Sequence, residues 1–266
     1  MTATASLPSL FVPHGAPTFA LNPGAAGAAL GTMADGLPQP RAIVIVSAHW
    51  DTAVPTVGTA SRLDTIHDFW GFPEALYAIR YPATGCPEAA EEVARAIADA
   101  GLPVARDEQR GLDHGAWVPL RLMYPDADVP VVPLSLQSRG GPEAAWQLGR
   151  ALTPLRERGF LIIGSGSITH NLRDYQLAWQ RGGQTPAYVR RFADWLADHA
   201  AAGDLPALLD YRSRSADGAQ AHPSDEHLLP FYVALGAGGE QPAVKRFFSG
   251  IDDYVIAMDA YAFTSQ

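Results

Sequence analysis

Three apolar runs in this 266-residue chain each end by handing a histidine to the segment that follows. Ser9–Pro13 (SLFVP) leads to His14 and Gly15, Ala42–Trp50 (AIVIVSAHW) carries His49, and Phe160–Ile163 (FLII) runs through GSGSIT to His170. Imidazole is the commonest metal ligand and the side chain that carries protons near neutral pH. One such histidine would be read as structural; the repetition points to metal binding or proton transfer at a shared rim. His67, His114, His199, His222 and His227 complete the inventory of eight. His67, in an aromatic loop, and His199, on a helix face beside Trp195, are read as structural. His222 either lines a pocket or caps its loop.

The elements that must position these residues are readable from pattern. AIVIV is apolar and β-branched without alternation, as in a strand buried on both faces of a parallel sheet. Such sheets gather their ligands beyond the carboxyl ends of the strands, where the three histidines would sit. Further strands are expected within Asp51–Arg62, at Leu102–Ala105 and at Val129–Leu134, whose two prolines suggest an edge or a bulge. Helices are expected within Asn22–Ala34, at Pro87–Ala100 and at Pro142–Arg158, the last bent or split near Pro154. Two more follow at Pro186–Ala202, with Thr185 as N-cap, and at Asp204–Arg214. Ala221–Pro230 opens a helix through Leu235 that Gly236 ends. Val244–Phe248 and Tyr254–Phe263 read as terminal strands joined by a Gly250–Asp253 turn. Leu63–Pro73 (LDTIHDFWGFP) is aromatic and punctuated by Pro and Gly, and either walls a pocket for a planar ligand or plugs the core. This alternation predicts a single α/β domain over residues 1–266, with a central, mostly parallel mixed sheet flanked by helices on both faces.

Composition narrows the class. Hydrophobic residues make up 47% and charged residues 18%, which describes a globular chain able to bury a core unaided. The net charge of −9 and pI near 5.3 argue against nucleic acid or an anionic membrane as the main partner. Cys86 is the one cysteine, so neither an intrachain disulfide nor a thiolate metal cage can form. Met1–Leu10 lacks the basic start and apolar core of a secretory signal, and no apolar run approaches a membrane span, so a cytoplasmic location is expected. These features leave a monomer and a homo-oligomer equally open.

GSGSITHNL lacks the lysine and spacing of a P-loop and the three glycines of a dinucleotide turn, so nucleotide binding is set aside. Its glycines are read as letting the backbone turn sharply to bring His170 into a pocket. Ser165 and Ser167 fall outside a G-x-S-x-G nucleophile elbow. Taken in order, PHGAP, SAHW, DHGAW, GSGSITHNL and HPSDEHLLP resemble the class III extradiol ring-cleaving dioxygenases, and most closely the DOPA 4,5-dioxygenase branch. The resemblance spans nearly the whole chain. It implies a mononuclear non-haem enzyme, with Fe(II) for turnover or Zn(II) in the same site, that takes a catechol and O2. It implies His14, His49 and His227 as metal ligands and His114 and His170 as the acid–base pair, with His170 close to the metal in some members.

The chemistry of the residues agrees with that expectation. Ring cleavage needs a metal held on one face and open on the others, which three ligands from separate loops provide. The usual iron triad has a carboxylate, and Glu226 adjoins His227; the resemblance favours His227, which makes the site more cationic and better suited to zinc. One histidine would remove the second phenolic proton, and its pair would steer oxygen and return a proton. Asp51, Asp113 and Asn171 are candidates to fix imidazole tautomers, and Arg173 to meet either a substrate carboxylate or solvent. A zinc hydrolase using a metal-bound hydroxide is the rival enzyme class. A binding protein that has lost turnover is a third, opposed by the retained His114 and His170.

Overall fold

The computed structural model describes residues 6–265, so the reading of Met1–Leu10 as no secretory signal falls partly outside it. Among the described residues, ten strands alternate with helices: β1 (Ser9–Pro13), β2 (Ala42–Asp51), β3 (Thr56–Gly58), β4 (Ala105–Asp107), β5 (Val131–Leu136), β6 (Phe160–Gly166), β7 (Ala243–Phe248), β8 (Ile251–Asp252), β9 (Ile256–Ala257) and β10 (Ala260–Thr264). Eight of them form one sheet in the order β4-β3-β5-β2-β6-β1-β10-β7, and β8 and β9 pair separately as a hairpin. The central β5-β2-β6-β1 block is parallel, while β10 and β7 run antiparallel along one side. The expected mixed, mostly parallel sheet with an antiparallel tail is therefore present. Among the described residues, no helix is long and apolar enough to cross a membrane.

The central strands are buried along almost their whole length, which is what their unbroken apolar runs require. Side chains alternate across a strand, so β6 shows how both faces are covered. Ser165 reaches the helix His114–Met123 on one face, while Gly164 and Gly166 lie against the segment around His227 and Pro230 on the other. Helix Leu229–Ala237 is buried at every residue, because it is sandwiched between the sheet and helix Gly141–Arg156. These two helices cross almost backbone to backbone: a Cβ at Gly149 would lie 2.1 Å from the Val233 carbonyl oxygen.

Several local expectations shift, each for a physical reason. Helix Gly141–Arg156 stays continuous through Pro154, which falls in its last turn, so the bond lost with its missing N–H and the ring's clash with the preceding turn affect only the helix end. Pro133 lies within β5, and its neighbour β3 joins β5 only at Val57↔Leu134; the β2–β5 ladder slips between Val46 and Asp51. Helix Ala187–Ala202 has Pro186, not Thr185, at its N-cap and no side-chain cap bond. Gly236 lies inside helix Leu229–Ala237, packed on the neighbouring helix rather than ending its own. The expected strand at Leu102–Ala105 forms further on, as β4, and Tyr254–Phe263 splits into β9 and β10.

The helix crossing gives a direct test. Gly149→Ala should destabilise the fold by about 1–3 kcal/mol through overpacking, read as a lower midpoint in urea denaturation. An unchanged midpoint would show that the two helices can separate without loss.

Candidate active site

Strand register brings the histidines together. β6 lies between β1 and β2, with Val12 and Ser47 both opposite Ser165 and Pro13 opposite Gly166. The carboxyl ends of three adjacent strands therefore open onto one rim, from which His14, His49 and His170 emerge. The glycines of GSGSITHNL serve close approach rather than the sharp turn expected of them. Gly164 and Gly166 are extended strand residues, and a Cβ would lie 2.0 Å from the Pro230 oxygen or 2.2 Å from the His227 oxygen. Their bareness lets the HPSDEHLLP segment lie directly on β6. The Ser167 amide then donates to the His227 carbonyl at 2.8 Å.

Five imidazoles meet here. Nε2 of His14 and Nε2 of His49 face each other at 3.1 Å. The His49 ring centre lies 4.0 Å from that of His114 and 5.0 Å from that of His227, and His170 stacks on His227 at 3.5 Å. The donor atoms of His14, His49 and His114 all lie within 4.8 Å of one another, and so do those of His170, Glu226 and His227.

An oxygen lies behind the rings of His14, His114 and His227. Ser165 Oγ donates to the Gly115 carbonyl, so toward His14 Nδ1, 3.0 Å away, it acts as acceptor. His14 therefore carries its proton on Nδ1 and keeps a lone pair on Nε2. Asp68 accepts both the His114 amide and His114 Nδ1–H at 2.9 Å, and its Oδ2 lies 3.6 Å from His49 Nδ1. His227 Nδ1 lies 3.3 Å from Glu226 Oε1. Burial pushes the Asp68 carboxyl up, but hydrogen bonds and charge from His114, with His49, hold it at about 2.

Four of the five imidazoles resist protonation. Burial, then the neighbouring imidazoles, hold His14 and His227 well below the usual histidine range. Burial and His114 bring His49 to about 4 against the pull of Asp113 and Asp68. Burial likewise brings His170 to about 4, with Glu226 opposing. Neutral imidazoles with inward lone pairs suit a divalent cation. Two nitrogens each about 2.0–2.1 Å from one ion stand roughly 3 Å apart at a near-right angle, as His14 and His49 do.

The cleft over this cluster measures about 720 Å³, within the roughly 300–1,000 Å³ of small-molecule sites. Phe69, Trp70 and Phe72 from the irregular aromatic loop wall it, so that loop both lines a pocket and packs on the core. Other expected residues lie elsewhere. Asp113 caps helix His114–Met123 and binds Ser47 and Arg110 rather than orienting an imidazole. Asp51 binds Ser138, Asn171 caps helix Leu172–Gln180, and Arg173 points to solvent. His222 is buried outside the cleft with Nε2 on the Ile168 carbonyl, His67 is held by the Ile79 carbonyl, and His199 pairs with Asp204. Sequence reasoning missed Asp68, which no motif marked, and considered Ser165 only as a nucleophile.

With this geometry in view, the likeness to known proteins is specific. Residues 28–255 match the family model described as the catalytic LigB subunit of aromatic ring-opening dioxygenase. A 4,5-DOPA dioxygenase extradiol from Beta vulgaris is 41% identical over 228 residues, 85% of this chain and 84% of that protein. One of the same description from Escherichia coli K12 is 36% identical over 252 residues, 92% of this chain and 90% of that one. A crystal structure of an uncharacterized Escherichia coli K12 protein superposes with a TM-score of 0.79 at 29% identity, covering 96% of this chain and 99% of that chain. The chain belongs to the LigB family of class III extradiol dioxygenases, oxidoreductases that use a non-haem metal to open catechol-type rings with O2.

Ser165 is the residue whose role here is most open to test. Ser165→Ala removes the acceptor behind His14, and loss of such a partner should weaken metal binding about 10–100-fold. Competition with a chromophoric chelator measures this. Unchanged affinity would mean that His14 needs no support from β6.

Proposed function

We propose that one domain over residues 1–266 opens the ring of a catechol with O2, as a DOPA 4,5-dioxygenase-like enzyme. In this reading His14, His49 and His227 hold one divalent metal, and His114 and His170 move protons. The observation that carries it is the opposed Nε2 pair of His14 and His49, with Ser165 behind one ring. His227 has the same outward support from Glu226. Fe(II) is the metal expected for turnover, and Zn(II) fits the same donors. When bound, the ion supplies Lewis acidity and a common meeting point for the diol and O2.

The side chains do the rest. Phe69, Trp70 and Phe72 give the planar ring an apolar wall and limit water beside it. His114 donates an Nδ1–H hydrogen bond to Asp68, which leaves Nε2 as a base, and the ionised carboxylate stabilises the imidazolium once a phenolic proton is taken. His170 is neutral at pH 7 and stacked on His227, placed to hold a proton across the same face. A zinc hydrolase is disfavoured because the relatives named for an activity are dioxygenases.

A second ligand set has one observation behind it: the donors of His14, His49 and His114 also lie within 4.8 Å of one another. Elemental analysis separates the two. Alanine at His14, His49 or His227 should empty the site. Alanine at His114 or His170 should leave the metal and lower kcat by about 10²–10⁴-fold, measured as O2 uptake by the Fe(II) protein with a 4-substituted catechol. Metal loss in His114→Ala with retention in His227→Ala would exchange their roles. Ester or amide hydrolysis with zinc, and no O2 uptake with iron on any catechol, would replace the dioxygenase reading.

A further inference from the structure

The cleft has a charge pattern that the imidazole cluster does not use. Its lining includes the carboxylates Asp68, Glu226 and Asp253 and neither lysine nor arginine. Asp68 and Glu226 are engaged with His114 and His227. Asp253 is different. It is half-buried, and among the described residues its carboxylate has no hydrogen-bond or ion-pair partner. Arg173, the nearest basic residue in sequence to the lining residues Leu172 and Tyr175, is exposed and contributes nothing to the wall.

Asp253 is held in place by a strained turn. It and Tyr254 join β8 to β9 with φ of 46° and 64°, both in the left-handed region. Hairpin turns with two positive φ values ordinarily use Asn-Gly or Asp-Gly, so Asp253 suits its position while Tyr254 is disfavoured at the second. The surroundings hold the conformation. Tyr254 stacks on Tyr175 with ring centres 6.5 Å apart, and Thr169 Oγ1 donates to the Val255 carbonyl and accepts from the Ala257 amide. Strain of this kind gathers where a side chain must be aimed. Burial and the adjacent Asp252 push the Asp253 carboxyl up, as expected for an acid without a counter-charge. Tyr175 and the 86% exposed Trp70 line the same cleft and offer aromatic rings suited to a cation.

We propose that the cleft selects catechols whose ring substituent is positively charged, an ammonium in particular, and that Asp253 is the residue that sets this preference. The inference rests on the reading above that the diol end sits at the imidazoles, which sends the substituent toward the cleft wall. An ammonium there meets an unpaired carboxylate and aromatic faces. A carboxylate substituent meets a like charge in half-buried surroundings with no basic side chain to offset it.

Anaerobic calorimetric titration of the Zn(II)-loaded protein tests this with three probes: 4-(2-aminoethyl)catechol, 4-methylcatechol and 3-(3,4-dihydroxyphenyl)propanoate. The ammonium compound should bind at least about 10-fold more tightly than the carboxylate, since tenfold is about 1.4 kcal/mol. Asp253→Asn keeps the shape and tolerates a positive φ. It should erase most of that ratio while 4-methylcatechol affinity stays within about twofold, which also shows that the cleft is intact. Equal or tighter binding of the carboxylate by the parent, or a ratio that survives in Asp253→Asn, overturns the proposal. Failure of 4-methylcatechol to bind overturns it together with the catechol reading. O2 uptake by the Fe(II) protein with the same probes tests the reaction separately. Binding in the expected order without uptake removes ring opening and leaves charge selection standing.

Discussion

Five imidazoles share one partly buried rim, and that crowding governs the rest of the structure. Two unit charges 4–5 Å apart at an effective dielectric of 20 repel by roughly 3–4 kcal/mol, equivalent to more than two pKa units. Adjacent rings here lie at such separations, and burial adds its own penalty to the charged form. His14, His49, His170 and His227 are therefore held below the usual histidine range, which favours lone-pair nitrogens over protonated ones. A cation can satisfy several of them at once, as protons cannot. What remains for the protein is to decide which nitrogen of each ring faces inward. Ser165, Asp68 and Glu226 do so from behind.

The fold meets this requirement through β6. Its alternating residues serve opposite faces, with Ser165 supporting His14 and the bare Gly164 and Gly166 admitting the segment that carries His227. Helix Leu229–Ala237 anchors that segment, and helix Gly141–Arg156 in turn clamps the helix from outside. Placement of His227 thus depends on packing well away from the cleft. On the opposite face, Asp113 starts helix His114–Met123, which sets the His114 ring against His49. The aromatic loop closes the arrangement by delivering Asp68 to His114 and Phe69 to the wall in consecutive residues.

The sheet and the rim were legible in the sequence because both rest on local signals. Apolar runs marked β1, β2 and β6, and each run ended at or led to a histidine. Motif order then brought in His114 and His227, which periodicity alone would have left as loop residues. Two partners behind the rings, Asp68 and Ser165, were not legible, because each is a contact between segments distant in sequence. Asp68 lies 46 positions from His114, and Ser165 lies 151 from His14. Asp113, adjacent to His114, was the natural candidate by position, yet a residue just ahead of a helix turns its side chain to the helix amides. The glycines of GSGSITHNL were read as turn formers because sequence shows that a side chain is missing but not what fills its place.

The central claim is that the rim holds neutral imidazoles with Nε2 as the inward donor. Long-range ¹H–¹⁵N correlation spectra of the histidine rings in the metal-free protein at pH 7 test it directly. The account predicts that His14 is neutral and carries its proton on Nδ1. A His14 ring that is protonated on both nitrogens, or neutral with its proton on Nε2, would contradict it.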